Sequence, residues 1–149
     1  RTVEILLMQA ARHRLSDPGP ESGGFASALS DPRLYRALRA IHSQFEQPWD
    51  VDGLASVAGM SRSRFAHWFI RSVGMTPITY LTRWRMIRAR QLLSTPGMAL
   101  AEIAERCGYR SVPAFGRRFA QIYGVGPGTW RKRARSGENE RNCKTTWEP

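Results

Sequence analysis

The chain has 149 residues, with 23 Lys and Arg against 12 Asp and Glu and only two cysteines. That length holds one ordinary domain or two small ones, and two cysteines do not make a disulfide framework, so a reducing cytoplasm is the expected setting. No apolar run approaches the ~20 residues needed to cross a bilayer, and the apolar patch at Val3–Ala11 is too short and amphipathic for a signal peptide.

Charge is distributed unevenly. Residues 1–30 and 136–149 are close to neutral, whereas 31–135 hold 18 Arg and Lys against six Asp and Glu. A basic surface confined to one folded segment points to a polyanionic partner. All but one of those cations are arginine, whose planar fork suits phosphate oxygens and guanine edges better than an ammonium does.

Taken in order, Arg1–Leu15 predicts a helix, because Val3, Leu6, Leu7 and Ala10 share a face. Ser16–Gly24 is turn and linker chemistry, so 1–24 form a helix plus linker. Asp31-Pro32 is a helix start, with Asp as N-cap and Pro in the first turn. Leu34, Leu38, Ile41 and Phe45 continue as one stripe that Pro48 ends. Asp50 is positioned to cap a short helix, Val51–Ala58, and Asp52 suits the dipole of its first turn. A Gly59-Met60 turn follows, and Ser61 is placed to cap a helix carrying Phe65 and Phe69 inward. Thr76-Pro77 opens a longer helix to about Leu93, spanning ~25 Å at ~1.5 Å per residue. Its apolar residues lie on more than one face, which predicts burial on two sides.

The remainder repeats the pattern. Leu54-Ala55, Gly59-Met60, Phe65-x3-Phe69 and Gly74-x2-Pro77 are answered by Ile103-Ala104, Gly108-Tyr109, Phe115-x3-Phe119 and Gly124-x2-Pro127. The offset is 49 residues before the turn and 50 after it, so the second turn is one residue longer. A short apolar helix, a glycine turn and a basic amphipathic helix, occurring twice, predict a paired helix-turn-helix. The copies are unequal: Ala99 stands where Asp50 would cap, whereas Ser111 matches Ser61. Pro127 opens a last helix with Trp130 and the run Arg131, Lys132, Arg133, Arg135. From Ser136 onward the composition predicts disorder. The expected architecture is all-α: about seven helices, as two helix-turn-helix subdomains over 31–135 joined by the long helix, plus the N-terminal helix.

With the phenylalanines inward, the first recognition helix turns Arg62, Ser63, Ala66, His67 and Ile70/Arg71 outward, and the second turns out Val112, Pro113, Gly116, Arg117 and Ala120/Gln121. Such residues reach base edges when the helix lies in a major groove. Arg117 has the fork for guanine, Ser63 and His67 can donate or accept, and the small Ala66 and Gly116 allow close backbone approach. Two recognition helices reading adjacent groove segments must sit about one DNA turn apart, ~34 Å, which the long helix with both offsets can approach.

Catalysis finds no support. His13, His42 and His67 are scattered without a carboxylate pair, neither cysteine has zinc-ligand spacing, and no phosphate-loop glycine pattern occurs. Cys107 falls on the buried face of a helix, and Trp49, Trp68, Trp84 and Trp130 suit a core. No metal or cofactor is expected. From the residues alone, three readings stay open: a sequence-specific DNA-binding regulator, a non-specific or architectural nucleic-acid binder, and the DNA-targeting module of a repair or other enzyme whose catalytic domain is missing.

With these motifs in place, Asp31–Arg133 resembles the DNA-binding domain of the AraC/XylS family of bacterial transcription regulators. The likeness rests on LASVAGMS with Phe65-x3-Phe69, YLTRWRMIRARQLL at Tyr80–Leu93, IAERCGY with Ser111-x3-Phe115-x-Arg117-x-Phe119, and Gly124-Val125-x-Pro127 with Trp130-Arg131. It looks closest to members with a preceding cupin-like sensor, whose last helix Arg1–Leu15 would be. The resemblance implies a cytoplasmic protein that binds promoter double-stranded DNA, RNA polymerase as a partner, and a small-molecule effector acting through the upstream domain. It implies base contacts at Ser63, Ala66 and His67, and at Val112, Pro113, Gly116 and Arg117. It implies phosphate or positioning roles for Ser61, Arg85, Ser111 and Arg131, with Arg85 touching phosphate or locking the long helix by an ion pair. His67 stands where many members have Arg, exchanging a permanent charge for a pH-dependent one. The first unit, with its better cap and polar recognition face, is expected to specify the site, and the second to anchor the grip.

Overall fold

The computed structural model describes residues 31–136. Among them seven helices follow one another: α1 (Pro32–Ser43), α2 (Val51–Ala58), α3 (Arg62–Val73), α4 (Pro77–Leu93), α5 (Leu100–Arg106), α6 (Val112–Tyr123) and α7 (Pro127–Arg135). The expected N-terminal helix, the linker and the tail beyond Ser136 lie outside the described residues. The described chain divides into two units, one comprising 31–44 and 49–80, the other 45–48 and 81–136.

The start signals act mostly as the residues dictate. Asp31 accepts from the Arg33 amide at 2.9 Å and Asp50 from the Gly53 amide at 2.7 Å, each satisfying an orphan donor of a first turn. Thr76 Oγ1 accepts from the Thr79 amide at 3.2 Å and so caps α4. Ala99 leaves α5 without a side-chain cap, whereas Ser111 accepts from the Ala114 amide at 3.3 Å. Ser61 departs from expectation: its backbone is extended, as an N-cap requires, but its hydroxyl makes no cap bond.

In the first unit, Leu34, Ala37, Leu38 and Ile41 of α1 are buried with Leu54, Phe65 and Phe69. Phe45 does not continue the α1 stripe. The helix closes at Ser43, Gln44 leaves helical geometry at φ −135° and ψ 42°, and its amide returns to Ala40 O. Ser43 Oγ donates to Arg39 O at 2.7 Å and Trp49 Nε1 to Gln44 O at 2.9 Å. These bonds end α1 before Pro48 is reached. A polar pair sits inside this unit: His42 Nε2 and Tyr80 Oη share a 2.7 Å hydrogen bond, and Tyr80 meets the edge of Phe69 at 5.7 Å. Burial lowers the His42 pKa to about 4 and raises that of Tyr80.

The long helix carries two stripes. Pro77, Tyr80, Leu81 and Trp84 are buried at i, i+3, i+4 and i+7, whereas Met86, Ala89 and Leu93 are buried on another face, since two residues advance a helix by more than half a turn. The second stripe joins the core of the second unit, with Ile103, Ala104, Cys107, Phe115, Phe119 and Trp130. Phe119 meets Phe115 at 5.9 Å and the edge of Trp130 at 5.8 Å.

Arg85 ties the irregular segment Phe45–Pro48 into this second unit. Its Nε donates to Phe45 O and its Nη2 to Gln47 O, both at 2.7 Å, and its guanidinium lies 5.8 Å from the Tyr109 ring centroid. The lock is therefore to backbone carbonyls and an aromatic face, not to a carboxylate. Gly108 completes it: its φ is +76°, and a Cβ there would fall 2.7 Å from Glu46 O and 2.9 Å from Arg85 Nη2, so only glycine fits without displacement.

Two consequences are measurable. Arg85→Ala removes two charge-assisted bonds and leaves two carbonyls to be resolvated, so urea unfolding of the chain should show a loss of about 2–3 kcal/mol; Arg85→Lys should recover less than half, since an ammonium lacks the fork. For His42 the native pKa, about 4, lies below its ordinary 6.5. The unfolded chain takes up a proton that the native chain refuses, and stability falls as pH drops from 6.5 to 4, by roughly 2–3 kcal/mol in all. His42→Gln should flatten that part of the profile in a thermal-denaturation series.

Candidate nucleic-acid interface

Burying Phe65 and Phe69 decides which side of α3 faces solvent. Ser63, His67 and Arg71 are exposed at i, i+4 and i+8, and Ile70, 44% exposed, lies beside them. Arg62 is exposed at the first position of α3, and Ala66 is half-buried. Arg62 Nη1 donates to Asp52 Oδ2 on α2 at 3.0 Å. Ser61 is exposed at the mouth of the helix.

In α6, Phe115 and Phe119 are inward, and Pro113, Arg117 and Gln121 are exposed at the same spacing. Each is 50 residues after its counterpart in the stripe Ser63, His67, Arg71. Two residues expected on this face are half-buried. Val112 is half-buried and packs against the second unit's core. Gly116 is half-buried, with Pro127 Cδ 4.0 Å from the place a Cβ would take, so its missing side chain faces α7 as much as open space. Gln121 is engaged locally, its Oε1 accepting from Arg118 Nη1 at 3.0 Å.

The flanking cations divide similarly. Arg85 is held to Phe45 O and Gln47 O, both at 2.7 Å. Arg131 is half-buried, with Nε and Nη2 shut away from solvent and without a hydrogen-bond partner, whereas Lys132, Arg133 and Arg135 of the same helix are exposed or nearly so. Three exposed groups escaped the reading of the sequence: Arg64 on α3, Arg110 in the second turn, and Asp52 as the partner of Arg62. Arg110 had a signal, since it is the residue by which the second turn exceeds the first. The Asp52–Arg62 pair had none, because ten positions and a turn separate its members.

These groups supply hydrogen-bond donors and positive charge on two matched helix faces. The fork of Arg117 can take a guanine edge or a phosphate, and the hydroxyl of Ser63 can donate or accept. Among the described residues no group of three or more His, Cys, Asp or Glu is arranged to hold a metal ion. Cys107 is buried at the end of α5, and burial pushes its thiol up to about 12 against the opposing influence of Arg85 and Arg88, which leaves it a neutral core group. Among the described residues, no helix is long and apolar enough to cross a membrane.

A family model described as a helix-turn-helix domain matches residues 54–133. The transcriptional regulator AlkR of Acinetobacter baylyi is 36% identical over 133 residues, a match covering 89% of this chain and 43% of AlkR. The chain thus spans less than half the length of such curated relatives. A Chromobacterium violaceum regulator described by its AraC-type DNA-binding domain superposes with TM-score 0.65 at 28% identity, covering 70% of this chain and 94% of that one. The DNA-binding domain of AdpA, a global transcriptional factor crystallised with a target DNA, superposes with TM-score 0.66 at 33% identity, covering 74% and 98%. Two helix-turn-helix copies of matching sequence and matching backbone place this chain in the AraC-type helix-turn-helix family of DNA-binding transcription regulators.

Proposed function

We propose that this chain is the DNA-reading part of a transcription regulator that binds double-stranded promoter DNA by entering adjacent major-groove segments with α3 and α6. The observation that carries the reading is the matched pair of exposed stripes, Ser63–His67–Arg71 and Pro113–Arg117–Gln121, at one offset on helices of the same length. In α3, Arg62, Ser63 and His67 contact bases, Ala66 lets the backbone approach, and Arg71 meets the backbone further along the groove. In α6, Arg117 reads a base edge, Pro113 offers an apolar contact, and Gln121 and Gly116 border the groove. Val112 serves the fold. Ser61 and Ser111 lie where a phosphate meets a helix N-terminus, and Arg110 with the exposed cations of α7 adds backbone affinity. Arg85 acts by positioning, through the carbonyls of Phe45 and Gln47.

In this reading the protein works in the cytoplasm on nucleoid DNA. It takes RNA polymerase as a partner and a small-molecule effector through a preceding sensor domain, of cupin-like kind. The names of the matched regulators support the regulatory part of this reading alone, and no catalytic role is assigned to any residue.

Binding-site selection from a genomic DNA pool, followed by footprinting, tests the proposal. An enriched site with two protected turns is expected, and selection without enrichment overturns it. On that site, Arg117→Ala should relax preference at one position at a cost of ~1–3 kcal/mol; equal weakening on every sequence would make Arg117 a phosphate contact. Arg110→Ala should weaken all sequences alike and lower the slope of log K against log salt by about one. A change in preference after that substitution would move Arg110 from the backbone to a base.

A further inference from the structure

We propose that Asp52 positions Arg62, fixing which edge of its guanidinium the first recognition helix offers to DNA and so setting discrimination at one base pair. The proposal rests on the function given above. Arg62 is the first residue of α3, Asp52 the second residue of the preceding helix α2, and Arg62 Nη1 reaches Asp52 Oδ2 at 3.0 Å. The bond therefore runs from the supporting helix of the helix-turn-helix to the residue that enters the groove with the recognition helix.

The pair contributes little to holding the fold. Its side chains are 67% and 60% exposed, and ion pairs so open to solvent are screened and largely offset by lost side-chain freedom. Its effect is directional. A guanidinium is a flat fork with five donors, and one nitrogen held by a carboxylate leaves a defined edge for other acceptors. Bidentate recognition of guanine needs two N–H groups presented together to O6 and N7. An arginine already restrained loses less rotamer freedom when it makes those bonds. Asp52 also stands beside a surface built to meet phosphates, where an unpaired carboxylate would oppose binding; Arg62 neutralises it.

The second unit lacks the device. The position matching Arg62 is Val112, which packs on the core, and the position matching Asp52 is Ala101. Its nearby acid, Glu102, pairs at 2.9 Å with Arg106 four residues along the same helix, and so orients nothing on α6. Asymmetric orientation of the two entry residues gives a physical reason for the first unit to carry more of the discrimination.

A double-mutant cycle on the 149-residue chain tests this, with affinities measured for the selected site and each of its single-base-pair variants. Asp52→Asn should lower the preference at one base pair by about two- to fivefold, the range of an exposed pair, and leave the other positions unchanged. In an Arg62→Ala background the same substitution should alter no preference, and Asp52→Glu, which keeps the carboxylate, should restore part of it. Tighter binding to every sequence with preferences intact would overturn the proposal by reducing Asp52 to a local charge, as would an effect on preference that persists without Arg62. A wild-type chain with no preference at any position overturns the function proposed above and this inference together, whereas a discriminating wild type unaffected by Asp52→Asn overturns this inference alone. Circular dichroism of each variant separates these outcomes from loss of fold.

Discussion

The orientation of each recognition helix follows from one repeated constraint, two phenylalanines a single turn apart that are wholly excluded from water. Phe65 and Phe69 in α3, and Phe115 and Phe119 in α6, are 0% exposed. Burying an aromatic side chain is among the largest single contributions a small unit has, about 1.5–3 kcal/mol each. Once both rings point inward, the residues two before and two after the first ring must point out. The outward stripe is thus a by-product of packing, and chemistry is free to vary along it. The two units use that freedom differently: serine, histidine and arginine on one, proline, arginine and glutamine on the other.

The second unit depends on a polar device as well as on its core. Arg85 bonds two carbonyls of an irregular segment that has no ladder or helix to satisfy them, and bonds from a charged donor are roughly twice as strong as neutral ones. Gly108, in the left-handed region, lets that segment come within contact of the α5–α6 turn. Tyr109 closes the other side of the guanidinium and packs on Phe115 at 5.7 Å. The turn that aims α6 is therefore linked, through Tyr109, to the same arginine that holds the segment after α1.

Much of this was legible in the residues. Asp31-Pro32, Asp50, Thr76-Pro77 and Pro127 mark helix starts because each has a local mechanism, and the phenylalanine spacing betrays which faces are buried. What escaped depends on partners distant in sequence. Phe45 falls in register with Leu38 and Ile41, so the pattern extends α1 to it, but the bonds from Arg85 take it into the other unit. The Ser61 hydroxyl has the right chemistry and location for a cap, yet a rotamer decides, and sequence carries no rotamer. Val112 and Gly116 fall on the flank between core and solvent, where a rotation by part of a turn exchanges exposure for burial. The engagement of Arg85 with carbonyls is invisible because every residue has one.

The route of the backbone through residues 45–48 bears on how this architecture can be divided or recombined. Sequence similarity suggests two interchangeable cassettes, each an apolar helix, a turn and a basic helix. The physical units are not contiguous in that sense, for four residues lying between α1 and α2 belong to the unit that otherwise begins at Leu81. A gene segment encoding Leu81 onward would specify Arg85 without the carbonyls of Phe45 and Gln47, and Gly108 without the Glu46 carbonyl it faces. The complementary segment would carry a stretch of unsatisfied backbone. The duplication visible in the residues is therefore one of pattern, while the second unit draws four of its residues from before α2.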